Sequence, residues 1–294
     1  MNIPKKAILS FIVALTSGGL MAQPYYHIMK EKNGKLTEMK VYDGKEYNIK
    51  IDMVKPENRP VGTIGGKITV PYSGRSFYFT KKGNVYYNSF TEKFGFEESQ
   101  LDYPEFRYDM SHCGHFLWAE EIDQCIAPKA YITWSNATEQ SFYFANPKNL
   151  PKLQEDLGNE RWAVLSYYEW DYILKNLGEF DWTVDGKNCY LIDTTPGKSL
   201  LTELKNNKSN KLMTKEEFES YESKGLVCLP TSGYRTFWTL NWQNHYGYYW
   251  SCTPSILYRD DVGYFFFSLR SWPGVSSTSP SNKGYAVRLV VLAD

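Results

Sequence analysis

After its first two dozen residues the chain has no long apolar run, so no later stretch reads as a membrane-spanning helix. It has no charge imbalance either: 33 basic residues face 33 acidic ones, with no basic stripe. That argues against nucleic acid as a partner. Cysteine is sparse. Cys113, Cys125, Cys189, Cys228 and Cys252 are spaced by 12, 64, 39 and 24 positions, with no CxxC and no zinc pattern. The odd count leaves at least one thiol unpaired. There are four histidines, no H-E-x-x-H and no nucleophile motif around any of them. Neither a zinc hydrolase nor a Ser/His/Asp hydrolase is written here. No cofactor or resident metal is expected.

What is present begins with a secretory pattern. Lys5 and Lys6 precede the short apolar run Ala7 to Leu15, and Leu20-Met21-Ala22 ends on a small residue. Residues 1–22 are expected to be a signal peptide, which predicts an exported chain: periplasmic, cell-surface or extracellular. No cysteine lies beside the cleavage point, so no lipid anchor is indicated. Removing residues 1–22 leaves 31 basic against 33 acidic residues, a net charge near −2. Aromatic residues make up 17% of the chain, including 24 Tyr and 9 Trp. Such side chains suit large β-rich cores and binding surfaces alike.

Taken in order, residues 23–60 predict a small β-hairpin segment and linker. Asn33-Gly34 and Asp43-Gly44 are the turn signals, and Pro56 to Gly66 reads as linker by composition. Residues 61–294 predict one domain of α+β class, with short antiparallel sheets, two main short helices and long loops. Strands are expected at Lys67 to Tyr72, Ser76 to Thr80, Asn84 to Phe90, Ser141 to Ala145 and Asn188 to Ile192. Leu101 to Asn136 and Thr194 to Asn210 read as loops. The two helices are both announced by capping boxes, Ser166/Glu169 and Thr214/Glu217, and stop at Gly178 and Gly225. The last seventy residues carry four aromatic or β-branched blocks. They are Leu226 to Arg235, Gly247 to Pro254, Gly263 to Arg270 and Gly284 to Leu292, which predict strands joined by polar loops.

The succession FYFTKKGNVYYNSFTEKFGFEESQLDY, RWAVLSYYEWDYIL, LMTKEEFESYESKGLVCLPTSGYR, GYYWSCTP and GYAVRLV resembles the Fibrobacter-type major paralogous domain of secreted Bacteroidetes proteins. It spans residues 67 to 294. The resemblance implies a C-type-lectin-like, formylglycine-generating-enzyme-like fold and export more firmly than an activity. Ser251-Cys252 and Cys228 depart from the family's pattern. Formylglycine-generating enzymes use a closely spaced Cys pair, and the 24-residue separation here does not match. Calcium-dependent lectins of the wider fold carry Glu-Pro-Asn and Trp-Asn-Asp triplets. Neither occurs, and Asn241-Trp242-Gln243-Asn244 lacks the carboxylate that Ca²⁺ prefers.

Several residues then stand out. Arg288, within an apolar run, predicts a structural ion pair, with Glu169 as candidate partner, and Arg235 reads similarly. Alternation would place Arg288 on one strand face with Ala286, Val290 and Leu292. Cys228 and Cys252, on segments expected to be neighbouring strands, are either a disulfide or two small buried residues. His112, Cys113, His115, Glu120, Glu121 and Cys125 form the one cluster of metal-capable side chains, within an expected loop. The loops between the last blocks hold Trp238, Trp242, Asn244, His245, Tyr258, Arg259, Asp260 and Trp272, residue types of protein and glycan contact surfaces. In retroelement-diversified relatives of this fold, the ligand-contacting residues lie on the corresponding segment. The expected function is a non-catalytic binding or adhesion module for a glycan or a surface protein. The alternatives are a formylglycine-generating or metal-dependent enzyme, or a structural subunit of a surface assembly.

Overall fold

The computed structural model describes residues 27–32, 35–41, 50–71, 74–88, 93–102, 150–158, 160–236, 239–254, 262–268, 271–276 and 283–293. Within them the chain is mixed α+β, with short, mostly antiparallel sheets and few helices. β1 (His27–Lys32) and β2 (Lys35–Val41) pair antiparallel with Asn33-Gly34 between them. β3 (Lys50–Asp52), β4 (Thr63–Thr69) and β5 (Ser76–Thr80) come next, then the hairpin of β6 (Val85–Asn88) and β7 (Lys93–Phe96). The middle of the chain supplies α1 (Leu150–Leu157), β8 (Trp162–Val164), α2 (Tyr167–Asn176), β9 (Gly178–Val184), β10 (Lys187–Asp193), α3 (Ser199–Asn207), β11 (Leu212–Met213), α4 (Lys215–Glu222) and β12 (Leu226–Pro230). The C-terminal strands are β13 (Tyr234–Thr236), β14 (Thr239–Asn241), β15 (Tyr246–Pro254), β16 (Val262–Ser268), β17 (Ser271–Ser276), β18 (Lys283–Gly284) and β19 (Leu289–Leu292).

Sequence-distant strands meet in the five-stranded sheet β3-β4-β5-β19-β8. There β19 lies between β5 and β8, with Val290 opposite both Phe79 and Ala163. In the four-stranded sheet β11-β9-β10-β12, strands β10 and β12 are buried on both faces. Tyr190, Ile192, Val227 and Leu229 enter one core, shared with Trp170, Phe265 and Phe267. Cys189, Leu191, Leu226 and Cys228 enter a second, beneath α3 and α4. Burial on both faces explains why β10 and β12 read as unbroken apolar runs rather than alternating ones. The meander β15-β16-β17 packs one face on α2 and the first core.

Both capping boxes form. Ser166 Oγ accepts from Glu169 N–H, and Ser166 N–H donates to Glu169 Oε2 at 2.8 Å. Thr214 and Glu217 repeat the exchange. Each cap contributes about 1 kcal/mol, a large share of what helices of eight to ten residues can draw on locally.

Other expectations are corrected. Four α-helices form among the described residues rather than two, because α1 and α3 carry no capping motif in sequence. The stretch from Thr194 to Asn210 contains α3, whose Leu200, Leu201 and Leu204 are buried at helical spacing. The buried Asp193 carboxylate accepts from Leu201 N–H at 2.9 Å and from Thr195, satisfying donors at that helix start. Gly178 does not only stop α2; it opens β9, with the Tyr190 ring where a Cβ would stand. The expected linker ends early. From Thr63 it is strand β4, and Gly65 packs so tightly that a Cβ would fall 1.7 Å from Thr194 Oγ1. Across that stretch β3 pairs with β4, Lys50 opposite Thr69.

Arg288 does not meet Glu169. Glu169 Oε2 accepts from Arg75 Nη1 at 2.8 Å, an ion pair of which the glutamate side is fully buried. Arg288 precedes β19, in a stretch where every residue from Tyr285 to Val291 is buried, so alternation does not sort its faces. Its Nη2 donates to Thr80 O at 2.9 Å and to Gln100 Oε1 at 2.7 Å. Nor does Cys228 bond Cys252: Cys228 is a free, buried thiol. Its strand pairs with β10, which brings the free, buried Cys189 diagonally across from it. The two thiols lie close enough to interact, and burial together with Cys189 pushes the Cys228 thiol up. The side chain of Cys252 and that of Arg235 lie outside the described residues.

Candidate functional site

The site is the face of β15-β16-β17 turned away from the core. Alternation divides these strands. Tyr249, Phe265 and Phe267 are buried against Trp170, Phe180 and Tyr190. Tyr246, Tyr248, Tyr264 and Phe266 point the other way and are only half-buried. Register sets these rings side by side: Tyr248 opposite Phe266, and Trp250 opposite Tyr264. Tyr246 stacks on Tyr248 at 5.8 Å, and Tyr248 stacks on Tyr285 at 5.0 Å. Tyr264 lies 5.1 Å from Tyr285, and Tyr234 meets Tyr248 edge-on at 5.3 Å. Tyr285 covers Trp250, centroids 4.5 Å apart, which closes the floor of the face. Each such pair adds about 0.5–1.5 kcal/mol beyond area burial. Gly247 permits the reverse packing: the Phe267 ring occupies the space of its missing Cβ.

At the edge of this face the turn between β14 and β15 holds Trp242 outward, 57% exposed. Its φ is +59°, and that of Asn244 is +64°. Left-handed backbone is a genuine outlier for a residue as bulky as tryptophan, and persists only where the surroundings over-determine it. They do so here. His245 and Tyr246 N–H both donate to Trp242 O at 3.0 Å. Asn244 N–H donates to Thr231 O, and Asn188 Nδ2 donates to Asn244 O, each at 2.8 Å. Gly233, at φ +69°, lets the turn approach: a Cβ there would stand 2.3 Å from Asn241 O. The Trp242 ring meets His245 and Tyr246 edge-on.

Burial, reinforced by the neighbouring Tyr264, Tyr234 and Tyr246 phenols, pushes the Tyr248 hydroxyl up to about 12. It stays a neutral donor at physiological pH. The arrangement therefore offers one exposed indole face beside a bank of phenol hydroxyls.

Of the eight residues expected at the site, Trp242, Asn244 and His245 share this turn. Trp272 lies on β17 with its side chain outside the described residues; Trp238, Tyr258, Arg259 and Asp260 lie wholly outside them, as does the His112 to Cys125 cluster. Among the described residues no three His, Cys, Asp or Glu side chains gather to hold a metal ion, and no helix is long and apolar enough to cross a membrane. Sequence reasoning missed Tyr234, Tyr248, Tyr264, Phe266 and Tyr285, which it assigned to scaffold. The signal was the two-residue spacing of aromatics in both strands. Compared with protein-family models, curated proteins and solved structures, the chain matches none of them.

Proposed function

We propose that the chain is an exported, non-catalytic binding module of C-type-lectin-like fold, and that it holds a neutral glycan on the outer face of β15-β16-β17. The observation that carries this is Trp242, held outward on a left-handed turn at the rim of a phenol-lined face. The C–H face of a pyranose carries partial positive charge and suits the negative face of an indole. The phenols of Tyr246, Tyr248 and Tyr264 supply hydrogen bonds for sugar hydroxyls without any formal charge. A protein partner fits less well. A stable protein interface covers about 800 Å² on each side around an apolar centre. Among the described residues Trp242 is the one large apolar side chain exposed on this face; Met53, Val61 and Leu212 are the others exposed, elsewhere in the chain. The order of sequence blocks that resembles the major paralogous domain supports the fold and the export in this reading.

The test is a glycan array on the mature chain, followed by titration of the best neutral hit against wild type and Trp242→Ala. Binding should fall by about tenfold or more, as for a central aromatic contact. Equal affinity of the variant would refute the assignment of the face.

A further inference from the structure

The second core holds two thiols that the binding reading does not use. Cys189 and Cys228 are both fully buried, in one apolar cluster with Leu191, Leu201 and Leu226, beneath α3 and α4. Register puts them on the same face of adjacent strands. Cys189 stands opposite Pro230 and Cys228 opposite Leu191, so the two cysteines meet on the diagonal. Neither pair is of the hydrogen-bonded kind. Pro230 has no N–H to exchange, and the Cys228 N–H turns away from β10 to donate to Gln100 Oε1 at 3.0 Å. At such positions side chains stand closer together than at hydrogen-bonded ones. The two thiols are in mutual reach, as the influence of Cys189 on Cys228 records. In the reduced chain the Cys189 thiol also donates to Lys187 O at 3.3 Å, a weak bond that oxidation gives up.

We propose that Cys189 and Cys228 join in a disulfide as the chain folds, tying β10 to β12. It rests on the export reading, which supplies an oxidising compartment. The oxidant is a disulfide donor. One cysteine thiolate attacks the donor, giving a mixed disulfide and releasing the first donor thiol. The other thiolate then displaces the second donor thiol and closes the Cys189–Cys228 bond. The two cysteines lose two electrons, which reduce the donor disulfide, and their two protons end on the donor thiols. The bond has to form before α3 and α4 cover the pair, because thiols buried this deeply are inert once the chain is folded. It closes a loop that contains α3, β11 and α4, and so stabilises the fold by constraining the unfolded chain.

The full chain, reduced and unfolded, is refolded with oxidised and reduced glutathione, then unfolded again in iodoacetamide without reductant. Refolding in vitro supplies the oxidant whatever the compartment, so a failure here is distinct from a failure of export. Peptide mass mapping should find the Cys189 and Cys228 peptides linked, two hydrogens lighter than the free pair, and separated by dithiothreitol. Refolding in dithiothreitol instead should lower the wild-type melting temperature by about 5–15 °C and should leave that of Cys189→Ala unmoved. Alkylation of both cysteines, a link from either one to Cys113, Cys125 or Cys252, or a dithiothreitol effect undiminished in Cys189→Ala each overturns the proposal. The mass map decides by itself if the variant fails to fold.

Discussion

The two faces of β15-β16-β17 are made of the same residue types and do opposite work. The inner face, Tyr249, Phe265 and Phe267, is fully buried and stacks into α2 through Trp170. The outer face, Tyr246, Tyr248, Tyr264 and Phe266, is half-covered and ends at the exposed Trp242. Aromatic content alone does not distinguish core from surface; what sits opposite does. The inner rings have a helix and a second sheet against them. Among the described residues the outer rings have one another, Tyr234 and Tyr285.

The sharpest break between the faces comes from two adjacent residues. Phe265→Ala opens a cavity among Trp170, Tyr190, Tyr249 and Phe267, and should cost about 3–5 kcal/mol by denaturant unfolding. Phe266→Ala, one position on, removes a half-exposed ring and should cost about 1 kcal/mol. Similar losses at the two positions would mean that the outer face is also core, and the binding reading would lose its surface.

Next in size is binding. Trp242→Ala should lower glycan affinity by about tenfold or more while moving stability by no more than about 0.5 kcal/mol. Between about pH 6 and 9 the affinity should be flat, because the raised Tyr248 hydroxyl does not ionise there. An affinity that changes across that range would refute the neutral phenols as the donors.

These contrasts also show what was readable in advance. The capping boxes at Ser166 and Thr214 were, since a cap is a contact between residues three apart. Strands β5, β10 and β12 were, because Gly and polar turns bracket them; β9, which follows directly on α2, was not. Helix α3 was hidden: its start is satisfied by Asp193, whose strand role gives no hint of a cap. The partner of Arg288 was hidden for another reason. Sequence shows that a buried cation needs acceptors, but Gln100 and Thr80 are 188 and 208 residues away. The outer face was hidden most deeply. Alternation says that Tyr248 and Tyr249 part company; it does not say which one faces the core when both are aromatic.

A smaller effect separates the buried chemistry from the exposed. Burial raises the Glu222 carboxyl above its ordinary 4.5, against the opposing hydrogen bond from Gln100. Above that pH the folded state therefore holds more proton at this group than the unfolded one, so the contribution of Glu222 to stability is fullest in acid and falls as pH climbs from about 4.5 toward the folded value. Glu222→Gln keeps a partner for Gln100 and removes the fall. Its melting temperature should exceed that of wild type at pH 7 and converge with it near pH 4; a variant less stable at both would assign Glu222 a needed charge.

The smallest effect tests why the outer face is strained at all. Trp242 holds φ +59°, which glycine adopts freely and an L side chain occupies at a cost of about 1–2 kcal/mol. Trp242→Gly loses ring contacts with His245 and Tyr246 but relieves that cost. Its mobile unfolded chain offsets part of the gain. The sum should be a protein no less stable than wild type, and up to about 1 kcal/mol more, that no longer binds. No such trade exists on the inner face, where every substitution costs stability first. A clear loss of stability in Trp242→Gly would mean that the indole holds the turn rather than the turn displaying the indole, and the positive φ would then be a consequence of packing instead of a device for presenting a ring.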